Sequence, residues 1–177
     1  MLNKYEALRQ INDHQVLWQG KLLPCRVGRN GFSKTKQEGD GCTPTGTWKL
    51  LTVYYRPDKM PPPKTVLPVV EIMQNMGWSD DPKDLSYNLC MTIPYPFSHE
   101  KLWRDDNLYD LFITINHNIN PTISGNGSAI FIHRVRESMA PTEGCLALKF
   151  EDLLHVVETA VFNTFWIVGE ELGKNYA

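Results

Sequence analysis

Two residues in this chain have the types and spacing for nucleophilic chemistry. His133 ends the apolar run Gly127-Ser-Ala-Ile-Phe-Ile-His133, and Cys145 follows twelve positions later in Pro141-Thr-Glu-Gly-Cys-Leu-Ala-Leu148. A thiol with an ordinary pKa of about 8.5 is mostly protonated at neutral pH, and an imidazole beside it can take the proton and support the thiolate. Gly144 lets the backbone approach closely, so the Cys145 N–H and neighbouring amides of the turn can face a developing oxyanion. The same residues also fit plain packing, because free cysteine is among the most buried residue types. On spacing alone packing stands ahead, since a lone Cys and His carry little specificity.

The elements around the pair must position it. Residues 128–132 are apolar and partly β-branched, which predicts a buried strand with His133 at its exit. Residues 134–143 are polar and contain Pro141, which predicts a loop able to fold back toward the strand. Residues 146–148 re-enter the core. Upstream, residues 15–18, Gln19-Gly20 and residues 21–27 read as strand, tight turn, strand, with Pro24 placing the second strand at an edge or bulge. Residues 28–46 form a polar, glycine-punctuated loop. Its Arg29, Lys34, Lys36, Glu38 and Asp40 read either as solvated surface or as the frame of a groove. Residues 48–55 predict a strand and 66–73 another, interrupted by Pro68. Residues 75–88 predict a long loop. The segment 98–110 gathers His99, Glu100, Trp103, Arg104, Asp105, Asp106 and Tyr109. It reads as an Arg104–Asp106 ion pair with Trp103 on the core, or as a polar wall beside a groove. Residues 111–116 and 164–168 predict further strands. Residues 150–160 predict the one clear helix, with Leu153, Val156, Val157 and Ala160 on one face and Glu151 and Asp152 in its first turn.

Ile130-Phe-Ile-His133 and Thr142-Glu-Gly-Cys-Leu-Ala-Leu148 occur in the order and spacing of a known pattern. Gly28-Arg-Asn-Gly31, Glu38-Gly-Asp40 and Thr43-Pro-Thr-Gly-Thr-Trp48 supply a second matching block. Together they resemble the L,D-transpeptidase catalytic domain of the YkuD type, over roughly residues 15–155, and specifically a branch with a Pro-Thr-x-Gly-Cys signature. Glu143 stands where most members have His before the Gly-Cys, and Arg134 where many have Gly or Ser. The resemblance implies a mainly β fold, a β-sandwich of mixed sheets with one late α-helix and long loops. It implies acyl transfer on peptidoglycan stem peptides, giving a 3→3 cross-link or, with water as acceptor, an L,D-carboxypeptidase. Cys145 would be the nucleophile and His133 the general base, with Gly144 and Cys145 amides holding the oxyanion. Arg134 and Arg104 would meet a substrate carboxylate, and Glu143 would orient His133 or Arg134. No metal or organic cofactor is needed.

Composition sets the bounds. A chain of 177 residues predicts a single domain over 1–177, and 42% hydrophobic with 21% charged residues is ordinary for a folded domain. A net charge of −2 gives no reason to expect nucleic acid as a partner. Cys25, Cys42, Cys90 and Cys145 are irregularly spaced with no C-x-x-C, which argues against a zinc ribbon. Residues 1–9 hold Glu6 and no apolar leader core, so no signal peptide is expected, and no run approaches the ~20 apolar residues of a membrane span. The resemblance implies a periplasmic or cell-wall location, whereas a missing leader allows a cytoplasmic one. Three rival readings stand beside the enzyme. They are a catalytically silent peptidoglycan-binding module on the same fold, a metal-dependent hydrolase using His117, His133 and Cys145, and a structural protein with a buried Cys145.

Overall fold

Strand-forming runs separated by Gly, Pro and Asn dominate this chain, and among the described residues they build a mainly β architecture of mixed sheets with one α-helix. A computed structural model of the chain describes residues 7–169. The N-terminal stretch read above as lacking a leader core lies, through residue 6, outside the described residues. The strands are β1 (Ala7–Gln10), β2 (Gln15–Trp18), β3 (Lys21–Arg26), β4 (Phe32–Ser33), β5 (Thr43–Pro44), β6 (Gly46–Tyr55) and β7 (Val69–Glu71). They continue with β8 (Met76–Ser79), β9 (Cys90–Thr92), β10 (His99–Lys101), β11 (Leu111–Ile115), β12 (Phe131–Arg134) and β13 (Leu146–Leu148). Helix α1 (Phe150–Thr159) and β14 (Phe165–Val168) complete the order.

The main sheet runs β11-β12-β13-β3-β2-β1-β14-β6-β7, and a further β11–β6 pairing closes this order on itself, leaving β7 outside the ring. Strand β6 makes the closure possible. Residues 46–49 pair with β14, and residues 50–55 pair with β11 across a register shift. An extra residue on one strand bends it and sharpens its twist, which lets one strand serve two sheets. The β2–β3 hairpin closes through Gln19 and Gly20, both at positive φ, the geometry whose twist suits antiparallel strands.

Pro24 departs from expectation. It lies in β3, which runs between β2 and β13 rather than at an edge. Pairing with β13 begins only at Cys25, so the missing N–H of Pro24 falls beyond the end of that neighbour. Strand β12 also starts later than predicted, at Phe131. Ala129 sits at φ 49 and donates its N–H to Asn88 Oδ1 at 3.0 Å, which takes it out of the ladder. The stretch predicted as a long loop over 75–88 instead contributes β8, the centre of a three-stranded sheet ordered β10-β8-β9. Its signal is short and unalternating. A Cβ at Gly77 would lie 2.7 Å from Met91 Sδ, so glycine is what admits β9 so closely.

The β11-β12-β13 wall is buried on both faces, and every residue of β11 is buried. Leu111, Ile113, Ile115, Ile132, Leu146 and Leu148 face the main core with Trp18, Trp166 and the Leu153, Val156 and Val157 stripe of α1. Phe112, Phe131 and Cys145 belong to a second cluster with Ile72, Trp78, Leu102, Leu108 and Tyr109. The small sheet therefore covers the outer face of the wall. Trp78 carries that contact. Its ring meets Phe131 edge-on at 4.9 Å and its Nε1–H donates to Asn88 Oδ1 at 3.0 Å. Trp78→Ala should lower stability by about 3–5 kcal/mol, the usual loss for truncating a buried aromatic, read as a drop in the urea midpoint.

Candidate active site

Cys145 is placed by a turn that its own side chains fold. Thr142 Oγ1 accepts the Gly144 N–H at 3.1 Å and donates to the Cys145 carbonyl at 2.7 Å. Gly144 holds φ +142, and a Cβ there would stand 2.7 Å from Cys42 O and 3.0 Å from Ile130 Cδ1, so both conformation and space require glycine. The segment around Gly28 clamps the turn from outside. Arg29 N–H donates to Thr142 O at 2.8 Å and Thr142 N–H to Val27 O at 2.9 Å. Thr43 Oγ1 donates to Gly144 O at 2.8 Å and accepts Gly28 N–H at 2.9 Å. The two sequence blocks singled out above thus interlock at the cysteine.

The sulfur accepts Phe131 N–H at 3.3 Å and turns toward the Ala129 carbonyl at 3.2 Å. His133 stands opposite Ala147 in the parallel β12–β13 ladder, two residues from Cys145 along the same face. Its Nδ1 lies 2.7 Å from Arg134 O. A carbonyl only accepts, so Nδ1 carries the proton and Nε2 keeps its lone pair. Tyr109 packs edge-on against the imidazole at 5.7 Å. Among the described residues no hydrogen bond joins Cys145 to His133, but both line one cavity of about 290 Å³. They are only 7% and 4% exposed. Burial pushes the Cys145 thiol up to about 12, with Phe131 N–H partly offsetting it. Burial pushes His133 down to about 4, and the charges of Arg136 and Arg104 add to the effect. The resting pair is a neutral thiol beside a neutral imidazole, not an ion pair.

The cavity wall carries charge of both signs. Arg104 lines it, as expected, while gripping Asp106 through two N–H···O bonds of 2.9 and 2.6 Å, with Glu100 at 3.6 Å. The ion pair and the groove-wall reading of this segment thus hold together. Trp103 lies under the buried Arg56 guanidinium at 3.7 Å. Arg134 sits elsewhere. It pairs with Asp110 at 3.3 Å, reaches over the Phe150 ring at 5.5 Å and is not among the cavity's lining residues. Glu143 lines the cavity but pairs with Arg29, so it orients neither His133 nor Arg134. The Gly144 N–H is committed to Thr142. His117 is buried away from the cavity, with Nε2 at 3.1 Å from Asn126 O, and its pairing with His133 and Cys145 as metal ligands is not realised. Among the described residues no group of three His, Cys, Asp or Glu could hold a metal ion.

Other lining residues come from segments whose side-chain direction the sequence left open. Lys36 and Glu38 come from the glycine-punctuated loop, which does frame the cavity. Lys36 is buried on Asp40 and Gln37 O, and Glu38 accepts from Tyr87 and, at 2.6 Å, from Ser128. Asp80 and Arg136 also line it. Both lie past strand ends, where alternation no longer says which way a side chain turns.

A family model described as the L,D-transpeptidase catalytic domain, YkuD, matches residues 3–168. No curated protein and no solved structure matches the chain. The match spans nearly the whole sequence, including the clamp around Gly28, the His133 strand and the Cys145 turn, and the chain belongs to the YkuD family of L,D-transpeptidase catalytic domains.

Proposed function

We propose that this protein transfers acyl groups on peptidoglycan stem peptides through a thioester on Cys145. The observation that carries the reading is the shared cavity, in which a strand-held imidazole with a free Nε2 lone pair stands on the same sheet face as a turn-held thiol. Family membership supplies the substrate class. The S–H leaves the Ala129 carbonyl and gives its proton to His133 Nε2 as sulfur bonds to the carbonyl carbon of the third stem residue. The C–N bond to the terminal D-alanine then breaks, and its nitrogen takes the proton back from His133. An amine next attacks the thioester carbon, forming a 3→3 amide and returning the proton to sulfur. Water in its place gives a carboxypeptidase. With Gly144 N–H engaged, the Cys145 N–H is the donor assigned to the oxyanion. Such a substrate puts the proposed work at the cell wall, outside the cytoplasmic membrane. Among the described residues no helix is long and apolar enough to cross one.

The neutral, buried thiol also favours a second reading, a peptidoglycan-binding module without turnover. Intact mass separates them. Incubation with a carbapenem or a stem tetrapeptide should leave one covalent adduct on Cys145, lost in Cys145→Ala. Binding without any adduct would select the silent module. His133→Ala should slow acylation by about 10²-fold or more. Because His133 must be neutral to act as base and its pKa is lowered to about 4, acylation should persist as pH falls past 6.5 and drop only near 4. A drop near 6.5 in the rate profile would contradict the buried neutral imidazole.

A further inference from the structure

Three cations line the cavity, and they differ in what already holds them. Lys36 is bound to Asp40 and Gln37 O, and Arg104 is forked onto Asp106. Among the described residues Arg136 meets Asp106 Oδ2 at 4.0 Å, too far for a hydrogen bond, and its charge bears on Glu100 without a hydrogen bond between them. Of the cavity's carboxylates, Asp80 keeps one buried oxygen, Oδ1, without a hydrogen-bond partner among the described residues, and the three glutamates are engaged. Glu38 serves Tyr87 and Ser128, Glu100 serves Arg104 and Tyr109, and Glu143 serves Arg29. The Arg136 backbone is nevertheless fixed. Met139 N–H donates to Arg136 O at 2.9 Å, and Arg26 Nε–H donates to Met139 O at 2.8 Å, tying the turn back to β3.

Resting on the acyl-transfer reading, we infer that Arg136 is the specificity residue that receives a peptide carboxylate beside His133. A guanidinium with its fork unoccupied, anchored by its main chain at a cavity rim, is built for bidentate carboxylate binding. Its place also suits the chemistry. Arg136 and Arg104 disfavour a charged His133 while Asp106 partly opposes them, so an arriving carboxylate would add to Asp106 in offsetting the two arginines as the imidazole accepts its proton. Two peptide carboxylates carry this chemistry, that of the terminal residue and that of a diamino-acid side chain at the third position. Arg134, the arginine that the motif suggests, is spent on Asp110.

The test measures equilibrium binding by calorimetry in a Cys145→Ala background, so it does not depend on turnover. The ligands are a stem tetrapeptide with meso-diaminopimelate at the third position and a free C-terminus, its C-terminal amide, and the same peptide with lysine at the third position. With Arg136 present, the full peptide should bind roughly 10- to 100-fold more tightly than one of the two deficient peptides. Arg136→Gln should erase that preference, and Arg136→Lys should keep only part of it. The deficient peptide against which the preference disappears identifies which carboxylate is read. Equal weakening of all three peptides, no weakening, or no binding to any would overturn the inference. The thioester reading fails separately, by the absence of an adduct on Cys145 in the unsubstituted protein.

Discussion

The clamp of Thr43 and the Val27–Arg29 segment on the Thr142–Cys145 turn is the constraint on which the site depends. A cysteine after a glycine at positive φ has many conformations open to it unless its carbonyls and amides are spoken for. Here Thr142 Oγ1 closes the turn on itself, and Thr43 Oγ1 bridges Gly144 O to Gly28 N. The sulfur is then aimed by default, because the chain on either side of it has nowhere else to go. The same clamp brings the loop bearing Lys36 and Glu38 to the cavity, so one set of hydrogen bonds positions Cys145 and part of the wall.

His133 is held by a different device. It is fixed by a parallel ladder, a bond from Nδ1 to the next carbonyl, and an aromatic edge from Tyr109. These three contacts set ring position, tautomer and tilt without recruiting an acidic partner. The burial that makes them possible also keeps the Cys145 thiol and the His133 imidazole neutral. In a low-dielectric cavity a preformed thiolate–imidazolium pair is costly, and the proposed mechanism accordingly couples proton transfer to attack.

Much of this was legible in the sequence because it rested on short-range rules. The β2–β3 hairpin, the α1 stripe, and the strands holding Leu111–Ile115 and Phe165–Val168 follow from periodicity and turn chemistry. Cys145 and His133 stood out by motif. What escaped has physical reasons. Strand β8 carries two interior-facing groups on four residues, too few for a period to show, and its partners lie 12 and more residues away. Pro24 was misplaced because the rule for proline concerns one missing N–H, and only the length of a neighbouring strand says whether that N–H was wanted. Arg134 was assigned to a substrate carboxylate, and Glu143 to orienting His133 or Arg134, because both adjoin the motif. Their side chains are claimed by Asp110 and Arg29, residues that no local pattern connects to them.

The small sheet over the cavity has its own ladder. Among the described residues its links to the closed ring are made by side chains: Trp78 on Phe131, Asn88 to Ala129 and the 117–118 carbonyls, Tyr87 to Glu38. No main-chain pairing has to break for the two to separate. The cover is therefore seated on the ring by buried side chains, Ile72, Trp78 and Leu102 against Phe112 and Phe131, so its position over the cavity is set by packing rather than by a shared ladder.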